Sequence, residues 1–181
     1  MSSPVRHIYL ASRSPRRREI LGQIGVHFEM LLLRDAAGRD TDVDETPHPG
    51  EDPADYVLRL AEEKAETGWA KLVQRKIVPA PVLAADTTVT LDGEIIGKPL
   101  DRADAAAILR RLSGREHIVH TAVAVQMDRR RESILSSTRV LFGELSAEAI
   151  AHYVATGEPM DKAGAYGVQG RASMFVRHLD G

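Results

Sequence analysis

The dipeptide Asp92-Gly93 restricts what this chain can fold into more than any other pair of residues. Both central positions of the two-residue hairpin turn that it signals need positive φ, which Asp tolerates and Gly adopts freely. On one side, residues 82–85 read as a buried strand ending at Asp86; residues 87–91 then pair with residues 94–96 across the turn. The hairpin is expected to return Lys98 towards the rim that carries Asp86. A carboxylate and an ammonium converging at strand ends suit a metal-phosphate site, in which the acid holds a divalent cation or activates water and the lysine neutralises phosphate. A solvated salt bridge at a strand edge is the alternative reading of the same two charges.

Upstream, residues 5–11 read as a short strand that runs into Ser12-Arg13-Ser14-Pro15-Arg16-Arg17-Arg18. Ser14 is a good N-cap and Pro15 suits the first helical position, so a helix is expected to begin here and to end at Gly25. Free N–H groups, the positive end of the helix dipole and guanidinium forks together form a cradle for polyphosphate. A first turn rich in cations opposes that dipole, which favours an anionic ligand over a solvated basic face. Residues 28–33 give a second strand, and an acidic loop follows from Asp35 to Asp55, broken by Pro47, Pro49, Gly38 and Gly50. Within it, Asp42-Val43-Asp44-Glu45 is a compact carboxylate group able to supply a metal ligand. Asp52 and Pro53 start a helix that packs through Tyr56, Val57, Leu60 and Ala61, with Lys64 one turn further on and free to snorkel.

Beyond the hairpin, Asp101 caps a helix that Gly114 terminates. Residues 117–127 and 132–142 form an antiparallel pair whose charged turn, with Arg129, Arg130 and Arg131, reads as a solubility device. Ser146 caps a last helix ending near Gly157. Residues 161–170, DKAGAYGVQG, are open enough sterically to approach a flat ligand, and Gln169 has the donor and acceptor to read a base edge. A glycine-rich turn with a structural Gln is the alternative there. No internal repeat and no Walker-type loop occur.

Length and composition bound the rest. At 181 residues, with 43% hydrophobic and 28% charged content, the chain fits one soluble domain with room for two lobes around a cleft. No apolar run approaches the roughly 20 residues that cross a bilayer, so a cytoplasmic protein with no membrane partner is expected. The absence of cysteine excludes a thiolate nucleophile and a Cys-based zinc site, leaving oxygen or histidine ligands for any metal. A formal charge of −2, with three Phe, one Trp and four Tyr for base stacking, argues against nucleic acid as a partner.

Four ordered blocks, LASRSPRRREIL, DVDETP, AADTTVTLDGEIIGKP and DKAGAYGVQG, resemble the Maf family of nucleoside triphosphate pyrophosphatases across essentially the whole chain. The resemblance implies an α/β fold: a mixed twisted sheet with flanking helices, two lobes around a central cleft, related to the inosine triphosphatases. It implies a single domain over residues 1–181, without the closing C-terminal helix usual in the family, and a homodimer. The segment between Phe28 and Asp42 is also longer than many members have. The implied activity is hydrolysis of a nucleoside triphosphate to the monophosphate and pyrophosphate with a divalent cation, Mg2+ or Mn2+. Carried over by motif, Asp86 is the proton acceptor, with Glu45, Lys64 and Lys98 the other active-site charges and Ser12, Arg16 and Arg17 the phosphate-binding loop. Glu45 and Asp86 are the implied metal ligands. Arg16, Thr87 and Gln169 stand at the positions tied to substrate choice, and together resemble the branch acting on dTTP and UTP rather than the one acting on 7-methyl-GTP. That activity limits incorporation of non-standard nucleotides, and the family is linked to cell-division arrest. A non-catalytic nucleotide-binding regulator of division is the alternative function.

Overall fold

The computed structural model describes residues 7–33 and 42–181. Among the described residues seven strands form a mixed sheet in the order β2-β1-β3-β5-β6-β7, with β4 paired to β3. The chain divides into two compact units. β3, β5 and β6 each contribute residues to both.

In the first unit β1 (Ile8–Leu10) pairs in parallel with β2 (Phe28–Met30) and with the start of β3 (Val82–Leu91). Both expected strands are shorter than their apolar runs, and Val5 lies outside the described residues. α1 (Pro15–Gln23) begins as its cap dictates, with Ser14 Oγ accepting from the Arg17 backbone N–H. Ile24 is its C-cap, one position earlier than the expected Gly25, which follows at φ +72°, where the left-handed turn favours glycine. Only Leu21 of this helix is buried, so apolar packing does little to hold it. α2 (Pro53–Gln74) is longer and amphipathic, burying Tyr56, Val57, Leu60, Ala61, Ala65 and Leu72 along one face. Asp52 Oδ1 accepts from the Ala54 N–H (2.8 Å) at its start.

In the second unit β3 continues without a break through Asp86 to Leu91 and turns at Asp92 (φ +54°) and Gly93 (φ +82°) into β4 (Glu94–Ile96). The expected strand end at Asp86 is therefore corrected: the site residue sits in mid-strand, where Asp86 and Thr87 are the half-buried pair between buried neighbours. α3 (Arg102–Leu112) starts at Asp101, whose carboxylate accepts from the Asp104 N–H (2.8 Å). β5 (Glu116–Met127) and β6 (Arg130–Phe142) are neighbours joined by two residues, a link that only antiparallel strands permit. α4 (Ala147–Ala155) is capped by Ser146. Three 3-10 turns then lead to β7 (Val176–Asp180), antiparallel to β6 with a bulge at Leu141/Phe142. No apolar alternation foretells β7; its residues are mostly exposed and only register against β6 makes them a strand. Phe142, Tyr153, Tyr166, Phe175, Leu109 and Leu112 centre the core of this unit.

Candidate active site

The first unit gathers five of the predicted side chains, Lys64, Glu45, Asp86, Arg17 and Ser12. Lys64, two turns along α2 from Tyr56, directs its Nζ at Glu45 Oε1 (2.6 Å) and Asp86 Oδ1 (2.7 Å). Rather than snorkelling, the lysine is 15% exposed and Asp86 16%, while Glu45 keeps 48%. Burial alone would pull the ammonium down; the two carboxylates outweigh it and hold Lys64 above its ordinary pKa. Arg17 reaches in from the first turns of α1. Its Nη1 donates to the Ala85 carbonyl (2.6 Å) and to Ser12 Oγ (3.2 Å), which also accepts from the Ser14 N–H (3.2 Å). Burial lowers the Arg17 pKa, and Asp86 and Glu45 oppose that shift. The guanidinium stays charged, since arginine begins so far above neutrality.

Arg16 does not join this group; its Nη1 pairs with Glu19 (3.2 Å) on the exposed side of α1. Asp44 turns back on its own loop, accepting from the Thr46 N–H (2.9 Å), and Asp42 pairs with Lys71 (2.8 Å). Asp35 and Asp40 lie outside the described residues. The loop that presents Glu45 is held by side chains, as it must be where Pro47 and Pro49 withhold backbone donors. Tyr56 donates its hydroxyl to the Glu45 carbonyl (2.9 Å). Arg59 forks onto Glu51 through Nε (2.6 Å) and Nη2 (2.8 Å), and Nη2 also reaches the Thr46 carbonyl (3.2 Å). Neither residue was singled out from sequence beyond the packing role of Tyr56. The available signal was their spacing on the helix turns that carry Lys64. Burial, together with the Asp86 and Glu45 charges, pushes the Tyr56 phenol up to about 12.

The second unit holds the other three predicted residues. Thr87 Oγ1 shares a hydrogen bond with Thr121 Oγ1 (3.1 Å). Lys98 is exposed just beyond β4, and Gln169 is exposed in the glycine-rich segment. That segment is less open than its composition suggests: Gly164, Ala165 and Tyr166 are buried, and a Cβ on Gly164 would stand 2.8 Å from Val89 Cγ2. Glycine here serves close packing under β3. The carboxylate of Glu158 closes the end of the segment, taking the Arg171 N–H (3.2 Å) and the Tyr153 hydroxyl (3.1 Å) and filling the space where a Gly170 Cβ would lie.

The sequence profile described as Maf-like protein matches residues 7–181. This chain belongs to the Maf family. Relatives named dTTP/UTP pyrophosphatase are similar throughout. One from Dechloromonas aromatica is 58% identical over 174 residues, covering 96% of this chain and 87% of the relative. One from Aromatoleum aromaticum is 59% identical over 175 residues, covering 96% and 85%. One from Nitrosomonas europaea is 53% identical over 174 residues, covering 96% and 84%. Among solved structures, the Staphylococcus aureus Ham1 protein shares the fold at a TM-score of 0.50 and 16% identity, over 75% of this chain and 71% of that one. The expected α/β architecture of the Maf family is therefore present, built on the mixed sheet described above.

In this Maf chain the hard-oxygen pair Glu45 and Asp86 fits a divalent cation, since both already direct an oxygen at one cationic group. Among the described residues no cluster of three or more His, Asp or Glu side chains forms a metal cage. Among the described residues no helix is long and apolar enough to cross a membrane.

Proposed function

We propose that this Maf protein hydrolyses dTTP and UTP to the nucleoside monophosphate and pyrophosphate. The observation that carries the reading is the convergence of Glu45, Asp86 and Lys64, with Arg17 anchored one residue before Asp86. The names of relatives more than half identical over nearly the whole chain supply the substrate class. Asp86 takes the proton from a water that attacks the α-phosphorus in line, and pyrophosphate leaves with the electron pair of the broken P–O bond. Lys64, Arg17 and Lys98 offset charge on the phosphates, and Ser12 completes the phosphate-binding loop, from which Arg16 turns away to Glu19. When bound, Mg2+ or Mn2+ held by Glu45 and Asp86 supplies further neutralisation of the polyphosphate. Thr87 and Gln169 read the pyrimidine edge with a hydroxyl and an amide. The active form is a homodimer in the cytoplasm, and its role is to limit incorporation of non-standard nucleotides, with a link to division arrest.

The test is pyrophosphate release from a nucleotide panel with and without divalent metal, run on the wild type and on Asp86→Asn. The variant keeps the shape of the side chain and removes its basicity, so a loss of about 10²-fold or more in kcat is expected with the fold intact. Near-native turnover by the variant would remove Asp86 from the mechanism. Absence of release from every pyrimidine triphosphate would favour the binding-only alternative.

A further inference from the structure

The loop that carries Glu45 is fixed to α2 by a set of contacts that the proposed chemistry does not itself use. Arg59 makes a two-pronged pair with Glu51, whose side chain is 10% exposed, and adds a bond to the Thr46 carbonyl. Glu51 Oε2 also accepts from the His48 N–H (2.9 Å), so one carboxylate ties the loop both to itself and to the helix. The guanidinium lies over the Tyr56 ring, 5.6 Å from its centroid, and Tyr56 in turn holds the Glu45 carbonyl. Residues 45 to 51 are thus gripped at Glu45, Thr46 and Glu51 by two side chains one helical turn apart, and His48 is tied in through the Glu51 carboxylate. An exposed loop carboxylate would otherwise spend much of its time in other rotamers and other backbone positions, because ordering it costs conformational entropy. Here its backbone is fixed before any ligand arrives. Lys64 comes from the same helix, so α2 sets both the carboxylate and the cation it faces.

We infer that Arg59 and Tyr56, acting through Glu51 and the Glu45 carbonyl, are positioning residues that preorganise Glu45 as a ligand for the metal-bound triphosphate. The inference rests on the reading of Glu45 given above. Arginine suits the task where lysine would not, because the planar fork matches both oxygens of Glu51 and its face lies on the ring. Tyr56 has a double duty, as ring platform for Arg59 and as hydrogen-bond donor to the loop.

The experiment compares wild type with Arg59→Ala, Arg59→Lys, Glu51→Gln, Tyr56→Phe, Glu45→Gln and the double variant Arg59→Ala/Glu45→Gln. Each is checked for native fold by circular dichroism and assayed for pyrophosphate release from dTTP. Mn2+ binding is followed separately by the electron paramagnetic resonance of free Mn2+. Misplacing a ligand by a fraction of its reach costs heavily, so Arg59→Ala, Arg59→Lys and Glu51→Gln are each expected to lower kcat by about tenfold or more. Mn2+ affinity should fall in step. In the Glu45→Gln background Arg59→Ala should have little further effect, within about twofold, because its route to the chemistry is already gone. Losses that multiply in the double variant, or Arg59→Lys and Glu51→Gln with native kcat and native Mn2+ affinity, would overturn the inference. If wild type releases no pyrophosphate, the pyrophosphatase reading fails by itself, while Mn2+ titration of the same variants still decides the positioning role.

Discussion

His117, 2% exposed, is packed edge-on against Phe142 (4.8 Å between ring centroids) and bonded through Nε2 to the Tyr166 hydroxyl (2.7 Å). Burial pulls its pKa down to about 4. Between pH 6.5 and 4 the unfolded chain therefore binds a proton that the folded one refuses, and stability falls as the pH drops through that window. The shift corresponds to about 3 kcal/mol, fully present above pH 6.5. Glu51 acts lower on the scale: Arg59 holds its carboxyl down at about 2, so its contribution is present above 4.5 and lost as pH falls towards 2. Melting temperatures across pH 4 to 7 should slope downwards on the acid side in the wild type, and His117→Gln should flatten that slope. An unchanged slope in the variant would mean that other groups carry the acid sensitivity. Of these residue-scale features, the caps at Ser14, Asp101 and Ser146 are legible in sequence because they act over three residues. The Tyr166–His117 bond is not, since its partners are 49 residues apart.

At the scale of elements, α2 does the most, and Gly68 shows how closely it approaches the sheet. A Cβ there would stand 2.7 Å from Val82 Cγ1, 3.3 Å from Leu31 Cδ2 and 3.4 Å from Ala11 Cβ. In an exposed helix Gly→Ala is worth up to about 1 kcal/mol in favour of folding. At this position Val82 is fully buried and stiff at χ1, so the methyl group forces a shift of packed atoms that typically costs about 1–3 kcal/mol. Gly68→Ala is therefore expected to lower the urea midpoint despite its better helix propensity; a raised midpoint would show that α2 can back away at no cost. The hairpin tip between β5 and β6 also departs from expectation. Arg131 is not merely a solubilising charge, for it pairs with Glu66 (3.1 Å) and Glu62 (3.3 Å) of α2, and Ser133 Oγ donates to Glu62 (2.6 Å). Exposed pairs of this kind contribute little singly. They do place the strand tip over the helix face, which hydrophobic periodicity cannot foretell.

For the whole molecule, the homodimer proposed above makes its own prediction. A dimer that dissociates on unfolding has a melting temperature that rises with protein concentration, and sedimentation equilibrium should return twice the chain's mass. A monomer mass with concentration-independent melting would discard it.

The sequence by itself determined where elements start and turn: Ser14-Pro15, Asp52-Pro53, Asp92-Gly93 and Asp101 act through caps and φ preferences a few residues long, and the Maf motifs marked Asp86, Glu45, Lys64 and Arg17 as site residues. Only the tertiary structure decided that β3 runs on through Asp86, that β7 exists, and that Lys64 stands between Glu45 and Asp86 while Arg16 turns away to Glu19. The physical reason is range. Helix caps and hairpin turns close within one turn of chain, whereas a lysine's choice between water and two carboxylates depends on where a loop and a strand 19 and 22 residues away come to rest.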